Sequence, residues 1–270
     1  MISLRVDTLV LANLVQRPTR TLASMGGVAL GVVLIVVTAG LAEGMLRSRG
    51  ERESNIGAEI LFQASGSFGV GVETAPLTLP VAYAAALSKI PGVTGATPVG
   101  RFIRRGSRGF GFELIEGIVV APNGEHATYF DVARLRLVQG HLPTRKYQII
   151  IDRVRAEDPT VGIGAKLNLL GRDFEVVGIY EPEVGARVKM PLDTMQDLLG
   201  NKDRCSWILV KCASAGIQRS VAARIESRFP GNQIIFTRDI PGLLSRGLPI
   251  LNVFLNTVIG LATVISSLVI

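Results

Sequence analysis

The sequence predicts a membrane protein of α+β class, in which two transmembrane helices flank a mixed α/β domain. Three observations predict it. Of the 270 residues, 48% are hydrophobic and only 19% charged, with mean hydropathy +0.39; a soluble domain carries about a quarter charged residues. The excess apolar content lies in two charge-free runs, Thr21–Ala42 and Gly247–Ile270. The stretch between them alternates strand-like and helix-like patterns.

Each run suits a bilayer core, which needs about 20 apolar residues. Thirty glycines and few aromatics (6%) match the composition of membrane helices. Arg17 and Arg20 flank the first run on one side, Glu43 and Arg47 on the other. A signal peptide is the alternative, with Gly40-Leu41-Ala42 as a passable cleavage site, but its apolar region would far exceed the usual ~7–15 residues. The second run reaches Ile270 without a polar flank, so a truncated chain with further spans is expected. The expected division is 1–20, a cytoplasmic or interfacial helix; 21–42, transmembrane helix 1; 43–246, the folded domain; and 247–270, transmembrane helix 2. Before the first span, Leu4, Leu11 and Val15 fall near helical spacing, and Arg17-Pro18 breaks or kinks that helix. Basic residues are equal on the two sides of the first span, three (Arg5, Arg17, Arg20) and three (Arg47, Arg49, Arg52), so charge does not orient it.

Within 43–246, strands are expected at Glu59–Gln63, Val93–Val99, Phe110–Val120, Tyr147–Ile151, Lys166–Leu170, Phe174–Tyr180, Trp207–Lys211 and Gln233–Thr237. Helices are expected at Val81–Lys89, Leu192–Leu199 and Ala215–Phe229. Leu170-Gly171-Arg172-Asp173 reads as a tight hairpin. A helix followed by Pro-Gly and a strand occurs twice, at Val81–Gly92 and Val221–Gly231. Two such halves make a ferredoxin-like layer, and their separation implies an inserted β-rich subdomain at about 110–200.

Chemistry-bearing motifs are sparse. No GxxxxGK[ST] phosphate loop exists, so the chain alone is expected not to hydrolyse ATP; Gly66–Gly71 and Gly106–Gly111 lack a following lysine. Gly162-Ile163-Gly164-Ala165-Lys166 reads as a turn before a strand. His126 and His141 lack zinc-ligand spacing and read as surface residues. Cys205 and Cys212 flank a strand of roughly 23 Å, too long for a disulfide, and read as unpaired core thiols. Asp152, Glu157 and Asp158 read as a solvated loop. The basic stretch Arg101–Phe110 could face nucleic acid, lipid headgroups or an anionic ligand, and reads foremost as a solvated hairpin. The net charge of +7 comes from scattered residues and chooses no partner. No catalytic, cofactor-binding or metal residue is assigned, no cofactor is expected, and the chain is not read as an enzyme.

Several runs, in order, resemble a known family. Asn13–Leu22 followed by a glycine-containing span resembles the start of the first helix of MacB/FtsX-type ABC transporter permeases. Leu87-Ser88-Lys89-Ile90-Pro91-Gly92-Val93 resembles a step in their MacB-like periplasmic core domain. Val138–Pro143 resembles its next turn, with His141 where the family has Arg. Val161–Leu167 with Gly171–Tyr180 resembles its hairpin, and Met190-Pro191-Leu192 with Gln196 the step after it.

The resemblance implies a permease subunit of an ABC transporter in the inner (cytoplasmic) membrane, multi-pass, with a cytoplasmic N-terminus. Residues 43–246 would lie in the periplasm as a porter-type part plus a β-rich insertion. Four spans are implied, of which two lie here. It also implies a separate or fused ABC ATP-binding subunit, a homodimer or paired permease, and contact with membrane lipid; a periplasmic adaptor fits as a further partner, and nucleic acid does not. ATP-driven motion of the ATPase would serve export or extraction of lipid, lipoprotein, peptide or drug, or regulation of a cell-wall hydrolase. The alternative is a membrane-anchored periplasmic binding or sensor domain without transport.

Overall fold

A computed structural model describes residues 18–66, 77–105, 112–246 and 260. The chain divides into two compact units; the described part of the first ends at Leu46, and the second is Arg47–Gly247. The expected helix before the first span, at 1–17, and the expected second span fall outside the described residues, Gly260 excepted.

Helix α1 runs from Pro18 to Ser54. Pro18 therefore opens the helix, as suits a residue without an N–H to leave unpaired at the first turn. Leu22, Leu30, Val36 and Leu41 are among the large apolar side chains that it exposes. Thr38 Oγ donates to the Leu34 carbonyl at 2.7 Å, which satisfies a hydroxyl in an otherwise apolar surface. Among the described residues this is the one helix long and apolar enough to cross a membrane. It also outruns the expected span by three turns, and the part of it from Arg47 onward belongs to the second unit.

In that unit the strands are β1 (Ile60–Ala64), β2 (Leu79–Pro80), β3 (Val93–Arg105), β4 (Phe112–Ile118), β5 (Arg136–Gly140), β6 (Gln148–Asp152), β7 (Lys166–Leu169), β8 (Arg172–Glu181), β9 (Val188–Pro191), β10 (Arg204–Cys205), β11 (Trp207–Cys212) and β12 (Asn232–Phe236). The helices are α2 (Tyr83–Leu87), α3 (Thr128–Ala133), α4 (Arg153–Ala156), α5 (Leu192–Leu199), α6 (Gln218–Arg228) and α7 (Ile240–Arg246). Ten strands share one sheet in the order β12-β1-β11-β3-β4-β9-β6-β8-β5, with β7 on β8.

The first four strands form one lobe. They are mutually antiparallel, and numbered along the chain their order is 4-1-3-2, the ferredoxin-like order. Ile60 and Phe62 of β1 lie opposite Val210 and Ile208 of β11. With Leu87 of α2 and Val221 and Ile225 of α6 they form the core on one face. Both Pro-Gly stops turn at a left-handed glycine, Gly92 (φ 93°) and Gly231 (φ 81°). At Gly92 a Cβ would also sit 3.0 Å from the side chains of Ile217 and Val221, so a larger residue there would have to push the start of α6 back.

The remaining strands of this sheet form the inserted lobe, while β2 and β10 pair in a separate two-stranded sheet. Ile115, Ile149, Ile151, Phe174, Val176, Val188 and Met190 alternate toward Met195 of α5. The hairpin between β7 and β8 closes with Leu170 and Gly171, both at positive φ, as a two-residue primed turn requires. On the opposite sheet face one continuous core spans both lobes, from Leu61, Trp207 and Leu209 to Ile118, Tyr129, Val177 and Tyr180. Ile56, just past the end of α1, packs into it.

Several elements depart from the sequence expectation. β3 is longer than Val93–Val99, because Arg101 and its neighbours continue the ladder against β4. The strand β5 was not expected: four of its five residues are exposed, including Val138, so it shows no apolar alternation. β9 and α3 were also missed, each being too short for a period to emerge.

Candidate functional site: a buried ion network at the end of the first helix

The last turn of α1 carries Glu53, which is only 2% exposed. Its Oε1 accepts from Arg101 Nη2 at 2.5 Å. Arg101 is in β3, directly opposite Glu116 of β4, which is opposite Lys189 of β9. Strand alternation puts Arg101 on the face that Val99 shares, and the ladder then sets the three charges in one row across three strands. All three are buried.

Each charge in the row is held on several sides. Glu116 Oε1 accepts from Arg101 at 3.2 Å. Glu116 Oε2 accepts from Lys189 Nζ at 2.8 Å and from the Tyr129 hydroxyl at 3.0 Å. Lys189 also donates to the carbonyls of Val184 and Ala186, both at 3.0 Å, and lies 4.7 and 4.9 Å from the Tyr129 and Tyr180 ring centres. Arg101 stacks on Trp207, its guanidinium carbon 3.9 Å from the ring centre. The loop after β8 closes over the row. Gly185 at φ 64° would drive a Cβ to 2.7 Å from the Glu116 carboxylate, so only glycine lets this loop approach.

The four charges, Glu53, Arg101, Glu116 and Lys189, sum to zero, which is what makes their burial tolerable. Burial pushes the Glu116 carboxyl upward, but the attraction of Lys189 and then Arg101 outweighs it and holds the group below the usual range. Burial lowers Lys189 below its ordinary value, and Glu116 offsets this only in part. The three acceptors within 3.0 Å of Nζ, with the Tyr129 oxygen farther off at 3.4 Å, match the three donors of an ammonium, so the charged pair is the state the geometry supports. Burial, followed by the Glu116 charge, raises the Tyr129 hydroxyl well above its ordinary value.

Two expectations are corrected here. Arg101 is no part of a solvated hairpin: it is buried, because Glu53, Glu116 and Trp207 receive it. Residues 106–111 of that stretch lie outside the described residues. Asp152 is not in a solvated loop either. It ends β6, caps α4 by accepting from Arg155 N at 2.7 Å, and pairs with Arg187 at 3.1 Å; burial raises its carboxyl. Glu157 is exposed as expected.

The other singled-out residues do not converge on this site. His126 is exposed and lies 3.2 Å from Asp131. His141 Nδ1 lies 2.7 Å from the Leu142 carbonyl oxygen. Cys205 and Cys212 are free and buried, and burial pushes their thiols up to about 12 and about 11. Gly162–Ala165 turns into β7, as expected of a turn before a strand. No group of three His, Cys, Asp or Glu able to hold a metal occurs among the described residues.

A cleft of about 420 Å³ lies where the lobes meet, lined by residues such as Ile118, Val119, Pro143, Lys146, Pro191 and Leu192. Its wall mixes aliphatic and proline side chains with Arg145, Lys146, Asp193 and Asp203, and its Thr194 hydroxyl donates to the Asp193 carboxylate at 3.2 Å.

Sequence reasoning missed Glu53, Glu116 and Lys189. The signal was present for two of them: Glu116 interrupts Leu114-Ile115-x-Gly117-Ile118, and Lys189 interrupts Val188-x-Met190. A lone charge of each sign inside two apolar strands is what a buried cross-strand pair looks like.

Comparison with known proteins completes the description. The profile of the MacB-like periplasmic core domain matches residues 21–228. The crystal structure of the periplasmic region of MacB from Actinobacillus actinomycetemcomitans is similar at 20% identity, with TM-score 0.50, covering 71% of this chain and 94% of that one. The extracellular domain of the noncanonic ABC-type transporter YknZ from Gram-positive bacteria matches at 17% identity and TM-score 0.46, over 66% of this chain and 98% of that one. No curated protein matches the chain.

Proposed function

We propose, from the premise that this chain belongs to the family of MacB-like periplasmic core domains of ABC-type transporter permeases, that it is a permease subunit whose first helix carries motion to that domain. One observation supports this most directly: α1 continues without a break from an exposed apolar stretch to Glu53, which is buried in the domain's ion network. A helix held by a buried ion pair does not swivel freely, because separating the pair strands a charge in a low-dielectric site. Movement of the helix would then move the domain as a body.

In this reading 1–20 is cytoplasmic or interfacial, 21–42 and 247–270 span the inner membrane, and 43–246 lies outside the cytoplasm. A partner ABC ATPase supplies the energy, the permease works as a pair, and the transported cargo is a lipid, lipoprotein, peptide or drug. The chain itself hydrolyses no ATP.

The test is purification of the full-length parent from its native membrane, with N-terminal sequencing and reporter fusions near Gly140. Recovery with an ATP-binding subunit, an intact 21–42 segment and an exported reporter support the reading. Repeated recovery of an intact permease without any ATP-binding partner favours an anchored sensor domain. A mature chain that begins at Glu43, or a reporter active only in the cytoplasm, overturns the assigned topology.

A further inference from the structure

We infer that Lys189 is a positioning residue for Glu53, acting through Glu116 and Arg101, so that the inserted lobe sets how firmly the end of α1 is held. Lys189 forms no hydrogen bond with Glu53; its influence runs along the row. Two carboxylates, Glu53 and Glu116, compete for the same nitrogen, Arg101 Nη2, at 2.5 and 3.2 Å. Glu116 is restrained in that competition because its other oxygen is occupied by Lys189 and Tyr129. The groups that hold Lys189 in place, the carbonyls of Val184 and Ala186 and the rings of Tyr129 and Tyr180, all belong to the inserted lobe. Arg101 and its stacking partner Trp207 belong to the ferredoxin-like lobe.

The sign of the coupling follows from charge. Without Lys189 the buried set carries one excess negative charge, Glu116 draws harder on Arg101, and Glu53 is repelled. Without the Glu116 charge the set carries one excess positive charge, and Arg101 has Glu53 as its only carboxylate within the row. Removing either member of the Lys189–Glu116 pair therefore damages the core equally in kind, yet the two removals act oppositely on the helix end. A purely structural pair has no reason to do so. The inference gives the proposed permease a joint that its inserted lobe can tighten or release; it rests on that reading only for this use, since the coupling itself needs neither ATPase nor cargo.

The experiment is hydrogen–deuterium exchange of the full chain in lipid nanodiscs, following amides 50–57 relative to those of β11. Lys189→Met is expected to raise their exchange about tenfold, and Glu116→Gln to lower it severalfold. In a Glu53→Gln background both differences should vanish. Shifts of the same sign in the two variants, or opposite shifts that persist in the Glu53→Gln background, overturn the inference. Where Lys189→Met leaves β11 unprotected and so unfolded, Tyr129→Phe serves instead: it removes a donor from Glu116 without changing charge, and should raise exchange at 50–57 about twofold to threefold. No rise in that variant overturns the inference as well. Failure to find a partner ATPase would sink the permease reading and leave this result untouched.

Discussion

The two faces of the sheet are held together by different physics. On one face Phe62, Ile208, Leu87 and Ile225 meet as aliphatic and aromatic side chains alone, with Phe62, Tyr83 and Phe229 in edge and tilted ring contacts at 5.2–6.1 Å. On the other face β3 and β4 deliver Arg101 and Glu116 into an interior that also holds Trp207 and Tyr129. Apolar packing is non-directional and tolerates volume-conserving exchange. A buried ion row is directional, and every member depends on the others. The fold places that unforgiving arrangement where the first helix ends and the two lobes adjoin, which is where a fixed geometry is worth most.

Substitutions can sharpen or break this contrast. The largest effect is expected on the ionic face: Lys189→Ala should cost about 3–5 kcal/mol in denaturant unfolding, because it strands the Glu116 carboxylate. The double change Lys189→Met with Glu116→Leu should recover most of that loss, since Arg101 keeps Glu53. If the double variant is as unstable as the single one, charge pairing is not what the site requires. On the apolar face, Phe62→Ala should cost a similar or slightly smaller ~3–4 kcal/mol, but there no second substitution of a neighbour should restore it. Next in size, Gly92→Ala should cost about 1–3 kcal/mol, combining left-handed backbone strain with the contact on Ile217 and Val221.

The pH dependence separates the faces again. Glu116 is held below its ordinary value of 4.5, so its folded pKa lies under its unfolded one. Its contribution to stability is complete above about pH 4.5 and is lost as pH falls through the folded value. Melting midpoints measured down to pH 3 should fall more steeply for the native chain than for Glu116→Gln, and equal slopes would contradict the assignment. The smallest effect is expected at the Arg136–Glu181 pair, whose arginine is exposed and whose carboxylate keeps Arg153; Arg136→Ala should leave the melting midpoint unchanged within error.

Most of the ferredoxin-like lobe was legible in the sequence. Its strands alternate, its helices are followed by Pro-Gly, and that pattern occurs twice, so both the elements and their likeness to each other could be read locally. The inserted lobe was legible where the local pattern was strong, as in Lys166–Leu169, Arg172–Glu181, the apolar run of β6 and the helix Leu192–Leu199. Arg136–Gly140 was not, because an edge strand exposed on most of its residues carries no burial pattern.

By itself the sequence determined what depends on neighbours along the chain: the apolar helix, the turn at Leu170-Gly171, the alternating strands and the family runs. Only the tertiary structure decided which charges would be buried. Glu53, Arg101, Glu116 and Lys189 are spread over 137 positions, and even where an apolar run flags a charge, as at Glu116 and Lys189, its neighbours do not say which partner it meets. Strand register brings the last three into one row, and the extension of α1 beyond its apolar stretch supplies the fourth. A buried charge is tolerable only when its partner is fixed opposite it, and what is fixed opposite a residue is settled by folding, not by local sequence.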